Sequence, residues 1–90
     1  MNLTEFNDEK QNLDILVEEC AETIVAVQKI ARFGMESDWT GTTNRQQLTQ
    51  ECGDLLAMIE VLIANGTLSK TKLDVAMCCK LTKLEKFYQR

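Results

Sequence analysis

Residues 16–34 read LVEECAETIVAVQKIARFG, and residues 48–62 read LTQECGDLLAMIEVL. Both runs space their apolar residues three and four apart, as on one face of an α-helix, and neither alternates like a strand. Working outward from the first run, the helical pattern extends from Asp8 to Phe33. Leu13, Leu16, Val17, Cys20, Ile24, Val27 and Ala31 share its main stripe, with Asn7 or Thr4 as the expected cap and Gly34 as the stop. Ile15, Val25 and Ala26 fall outside that stripe, so the helix is apolar on more than one side and calls for a second partner. The second helix is expected to open at Thr43, where Gln46 completes a capping box, and to close at Asn65-Gly66. Leu48, Cys52, Leu55, Ile59 and Leu62 form its stripe, and Gly53 inside it suggests a close helix–helix approach. A third helix is expected from Ser69 or Thr71 to Phe87, carrying Leu73, Met77, Leu81 and Leu84. Between the first two helices, residues 34–43 form a polar loop with two glycines and Trp39.

The expected fold is therefore all-α: an antiparallel bundle of three helices in a single domain, residues 1–90. A chain of 90 residues buries only about two thirds of its surface alone. With 44% hydrophobic residues it carries more apolar surface than three isolated helices need. That surplus points to completion of the bundle by homo-oligomerisation, with Ile15, Val25 and their neighbours as the expected interface. Charge is unevenly placed: residues 1–66 hold twelve acids against four bases, residues 67–90 six bases against two acids. A formal net charge of −4 argues against nucleic-acid binding. The four cysteines lack paired CxxC spacing and there is no histidine, which argues against zinc and leaves reduced, buried core thiols as the expectation. No run is long enough to span a membrane and no apolar leader opens the chain, so a soluble, cytoplasmic protein is expected.

Chemistry concentrates in two acidic clusters. Glu18, Glu19 and Glu22 lie within one turn of the first helix, and Glu51 and Asp54 within one turn of the second. No Lys or Arg stands between Lys10 and Lys29, or between Arg45 and Lys70. Clustered glutamates are common on solvated helix faces, but here Glu19 and Glu22 interrupt an apolar side flanked by Ile15 and Ala26. Glu51 lies at the edge of the apolar stripe between Leu48 and Leu55. Acids among apolar neighbours are costly unless they bind something, and converging carboxylates suit a hard, oxygen-seeking divalent ion such as Mg²⁺.

The pairing of Glu18-Glu19-x-x-Glu22 with Glu51-x-x-Asp54 resembles the MazG-like, all-α nucleoside triphosphate pyrophosphatases. The run from Arg32 to Gly34, a loop, and Asn44-Arg45 before the second motif are similar to short, phage-type members, for which the host cytoplasm would be the location. The resemblance covers most of the chain, and 28 residues separate Glu22 from Glu51. It implies hydrolysis of a nucleoside triphosphate, or its deoxy form, to monophosphate and pyrophosphate. Glu19, Glu22, Glu51 and Asp54 would then ligate Mg²⁺, with Mn²⁺ as its substitute. Glu18 would be a further carboxylate near the attacking water, as a base or as a ligand to a second metal or to the groups around the first, and Glu18 and Glu19 would be the catalytic pair. Lys80 and Lys83 resemble the family's phosphate-facing basic positions; Arg32 and Arg45 are weaker candidates, and Trp39 is a candidate for stacking on the base. The family also implies dimers or tetramers in which a neighbouring subunit completes the cleft. The competing readings are a non-catalytic helical interaction module and a regulator that binds a nucleotide or alarmone without turning it over.

Overall fold

The structure, a computed structural model, describes residues 1–38 and 40–88. Its order is a short 3₁₀ turn at Leu3–Glu5, then α1 (Glu9–Phe33), α2 (Asn44–Ala64) and α3 (Lys70–Phe87). The all-α reading holds, with three helices among the described residues. α1 is capped by Asp8, whose side chain accepts from the Gln11 amide, rather than by Asn7 or Thr4. Thr4 belongs instead to the 3₁₀ turn, where its amide and hydroxyl both donate to Asn2 Oδ1. At α2 the capping box forms as expected: Thr43 accepts from the Gln46 amide while Gln46 Oε1 accepts from the Thr43 amide. Ser69 caps α3. Gly34, at φ +91°, lets the chain leave α1 through a conformation that side-chain-bearing residues rarely adopt.

Three asparagines hold α1 and α2 as an antiparallel hairpin. At the loop end, the buried Asn44 donates from Nδ2 to the carbonyl oxygens of Gly34 and Lys29. At the opposite end, the buried Asn12 donates to the Phe6 carbonyl, and Asn65 donates to the carbonyls of Leu3 and Val61. The N-terminal segment is thereby fastened to the end of α2. Between these two fastenings the hydrophobic core is thin, with Ala26, Val61 and Leu62 as its fully buried apolar residues.

The side of α1 turned towards α2 is the lesser apolar one. Buried or half-buried positions on α1 are Asn12, Ile15, Leu16, Glu19, Thr23, Ala26 and Ile30. The main sequence stripe mostly faces outward instead: Leu13, Val17, Cys20, Ile24, Val27 and Ala31 are all exposed, Val17 at 67% and Ile24 at 62%. Of the residues expected to form the exposed patch, Val25 is exposed and Ile15 is half-buried. The cysteines are free as expected, but only Cys52 is partly buried; Cys20, Cys78 and Cys79 are exposed because the faces carrying them have no cover within the chain. Gly53 does not serve a close approach: no atom lies within 4 Å of where an added Cβ would stand.

α3 packs along neither α1 nor α2. It leaves through a tight corner in which the Leu62 carbonyl accepts from both the Thr67 and Leu68 amides, at 2.9 and 3.2 Å. None of its residues is buried, and Val75, Met77, Leu81 and Leu84 are exposed. The radius of gyration is 15.9 Å, where about 12 Å is usual for a compact domain of this length. No described helix is long and apolar enough to cross a membrane.

Candidate metal centre between α1 and α2

Midway along the hairpin, the two acidic clusters meet. Glu19 and Glu22 stand on α1 three residues apart, and Glu51 and Asp54 stand on α2 at the same spacing. Antiparallel packing thus makes a four-carboxylate square. One oxygen from each lies within 4.8 Å of the others. Glu19 and Glu51 are half-buried, while Glu22 and Asp54 are exposed on the rim. Glu19 Oε2 and Glu51 Oε2 are shut off from solvent and have no hydrogen-bond donor. Buried carboxylate oxygens normally find a donor, and two orphans on residues of one cluster mark a place where something positive belongs.

Electrostatics tell the same story. Desolvation, followed by the charges of Glu22, Asp54 and Glu18, pushes the Glu19 carboxyl above its ordinary range. Glu51 is raised first by a hydrogen bond with the Glu22 carboxyl, then by desolvation, and then by the charges of Glu22, Asp54 and Glu19. Carboxyls this close disfavour one another's charged forms, and a bound cation would relieve that repulsion. The donor set fits a hard divalent ion. Glu19, Glu22, Glu51 and Asp54 would hold such an ion through carboxylate oxygens, the donor type it prefers.

The other sequence candidates are placed differently. Glu18 lies outside the square, exposed on the same turn as Glu19, and reaches it through its charge on Glu19. Arg32 is exposed in the last turn of α1. Arg45 is engaged elsewhere, its Nε 2.7 Å from Glu36 Oε1. Lys80 and Lys83 lie on the projecting α3, which the single chain does not bring against the acids. The candidate Trp39 lies outside the described residues. Sequence reasoning passed over Lys29 and Gln47, which line a cavity of about 360 Å³ beside Glu22 and Glu51. Their signal was helical register: Lys29 is two turns beyond Glu22, and Gln47 one turn before Glu51.

An acidic square between two antiparallel helices, with no strand element among the described residues, defines a class of small all-α proteins built around a candidate cation site. This chain belongs to the MazG nucleotide pyrophosphohydrolase domain family, whose sequence model matches residues 7–90. No curated protein and no solved structure gave a match to the chain.

Proposed function

We propose that this protein hydrolyses (deoxy)nucleoside triphosphates to monophosphate and pyrophosphate in a Mg²⁺-dependent reaction, with Mn²⁺ as an alternative ion. The observation that carries this reading is the four-carboxylate square with two buried, partnerless oxygens. Glu19, Glu22, Glu51 and Asp54 would hold the ion. When bound, Mg²⁺ would offset phosphate charge and the charge of the leaving pyrophosphate. Glu18, beside the square and open to solvent, accepts a proton from the attacking water with assistance from Glu19. The water oxygen bonds to the α-phosphorus, and the bond from that phosphorus to the bridging oxygen breaks. No nucleophilic side chain is needed, because such transfer rests on positioning and charge stabilisation.

Assembly is part of the proposal. The outward stripe of α1 and the uncovered apolar face of α3 suit a homodimer or homotetramer, in which α3 of a second copy would bring Lys80 and Lys83 to the phosphates. By the family resemblance Arg32 would meet a phosphate and Trp39 would stack on the base. The deciding experiment measures pyrophosphate and monophosphate release from a panel of ribo- and deoxyribonucleoside triphosphates, with and without Mg²⁺. Equimolar release that requires the ion is expected. No release from any triphosphate would overturn the enzyme reading, and calorimetry with non-hydrolysable nucleotides would then separate a nucleotide- or alarmone-binding regulator from an interaction module.

A further inference from the structure

The chain holds five asparagines, and Asn65 is the one followed by glycine. The pair closes α2 at the end where the N-terminal segment is fastened. Asn65 Nδ2 donates to the carbonyls of Leu3 and Val61, at 3.1 and 2.9 Å. Gly66 is exposed at φ +79°, and its amide donates to the Ile63 carbonyl at 3.0 Å. Nothing beyond its chain neighbours lies within 4 Å of where a Cβ on Gly66 would stand, so its nitrogen is uncrowded. A cavity of about 310 Å³, lined also by Glu9 and Asn12, gives water access to both residues. One side-chain amide thus ties down the N-terminal segment and stands beside a backbone nitrogen that can displace it.

We propose that Asn65-Gly66 is a spontaneous deamidation site, and that the reaction releases the N-terminal segment from the end of α2. The Gly66 nitrogen gives its proton to hydroxide and bonds to Asn65 Cγ. The bond from Cγ to Nδ2 breaks, and the departing nitrogen takes a proton from water and leaves as ammonia. Water then adds to one carbonyl carbon of the cyclic imide, and the bond from that carbon to the ring nitrogen breaks. Opening at Cγ leaves an aspartate. Opening at the backbone carbonyl leaves an isoaspartate, with the main chain rerouted through the side chain. The net change converts one amide and one water into a carboxylate and an ammonium ion, with no oxidation or reduction.

The folded corner holds this reaction back. With ψ at 6°, the Gly66 nitrogen eclipses the Asn65 backbone nitrogen rather than the side chain, so ring closure waits for the corner to open. Opening breaks the hydrogen bonds that fasten the segment, so the fastening sets the rate. Once made, the carboxylate has no hydrogen to donate and sets a negative charge against the Leu3 and Val61 carbonyls. Isoaspartate also lengthens the main chain inside the loop that the Leu62 carbonyl closes with the Thr67 and Leu68 amides, where α3 departs.

The test incubates the parent in mildly alkaline buffer and follows each asparagine by peptide mass mapping, with an enzymatic assay for isoaspartate. Asn65 should gain one mass unit ahead of the other four asparagines, with isoaspartate among its products. Amide hydrogen exchange reads the fastening itself. In Asn65→Asp the Glu5 and Phe6 amides should exchange at least about tenfold faster than in the parent, as expected for two lost hydrogen bonds. Asn12→Ala frees Phe6 at the same end and should speed loss at Asn65 roughly fivefold, for one lost bond. Asn44→Ala, at the other end of the hairpin, should speed it far less. Circular dichroism checks that each variant is folded. Deamidation at Asn65 no faster than at the other asparagines overturns the site. Unchanged Glu5 and Phe6 exchange in Asn65→Asp, or equal acceleration by Asn12→Ala and Asn44→Ala, overturns its link to the fastening.

Discussion

Among the individual residues, Glu22 and Asp54 offer the most direct test because they stand on the exposed rim of the square. Their replacement by alanine removes a charge from a crowded group without opening a core cavity. Turnover and Mg²⁺ binding should be lost, while the melting temperature of the metal-free protein stays equal to the parent's or rises; a marked drop in both variants would make the acids structural. The raised Glu19 and Glu51 carboxyls add a pH dependence. Folded, they hold protons above the value of 4.5 ordinary for Glu, so between 4.5 and the raised values the folded state binds more protons than the unfolded one. Stability of the metal-free protein should therefore fall as pH rises through that window. Thermal melts in chelator from about pH 5 to about pH 7.5 should show this fall, and Glu51→Gln should flatten it. Saturating Mg²⁺ should reverse the trend, because protons then compete with the ion for the same oxygens.

The helices show how far periodicity carries an inference. The cap at Thr43 and the stops at Gly34 and Asn65 were legible because each depends on local hydrogen bonds that a few adjacent residues specify, whereas the α1 cap fell on Asp8 rather than Asn7 or Thr4. The acidic square was legible as well, since each pair of acids at one-turn spacing shares a helix face and acids among apolar neighbours call for a common cation. Which face of α1 packs against α2 was not legible. Periodicity reports how apolar a face is, not what covers it, and the face bearing Glu19, Thr23 and Asn12 is the less apolar of the two. The same limit explains Gly53, whose open surroundings no sequence pattern discloses. Gly53→Ala should stabilise the chain by roughly 0.5–1 kcal/mol through restricted unfolded-state freedom and better helix propensity, measured by urea denaturation. A loss of stability would instead place a neighbouring copy on that surface. On α3, Lys83→Ala and Lys80→Ala should raise KM without changing metal affinity; kinetic constants equal to the parent's would return both lysines to the solvated surface.

For the molecule as a whole, the exposed stripe Leu13, Val17, Cys20, Ile24, Val27, Ala31 has the alternating three- and four-residue spacing of a helix–helix seam, and contiguous apolar surface of this kind marks interfaces. The parent should be a dimer or tetramer by light scattering, with a melting temperature that rises with protein concentration. Val17→Asp and Ile24→Asp should lower the mass and the activity together. A fully active monomer at micromolar concentration would overturn the assembly. The corner at Leu62, whose single carbonyl receives two amides, then takes on mechanical meaning. α3 is an 18-residue lever about 27 Å long, pivoting on a handful of residues, and a 10° error in aim would carry its tip about 5 Å off target. A stiff pivot of this kind would let a short chain deliver charge at a distance, so the accuracy of the reach would be set at the hinge rather than where the lysines land.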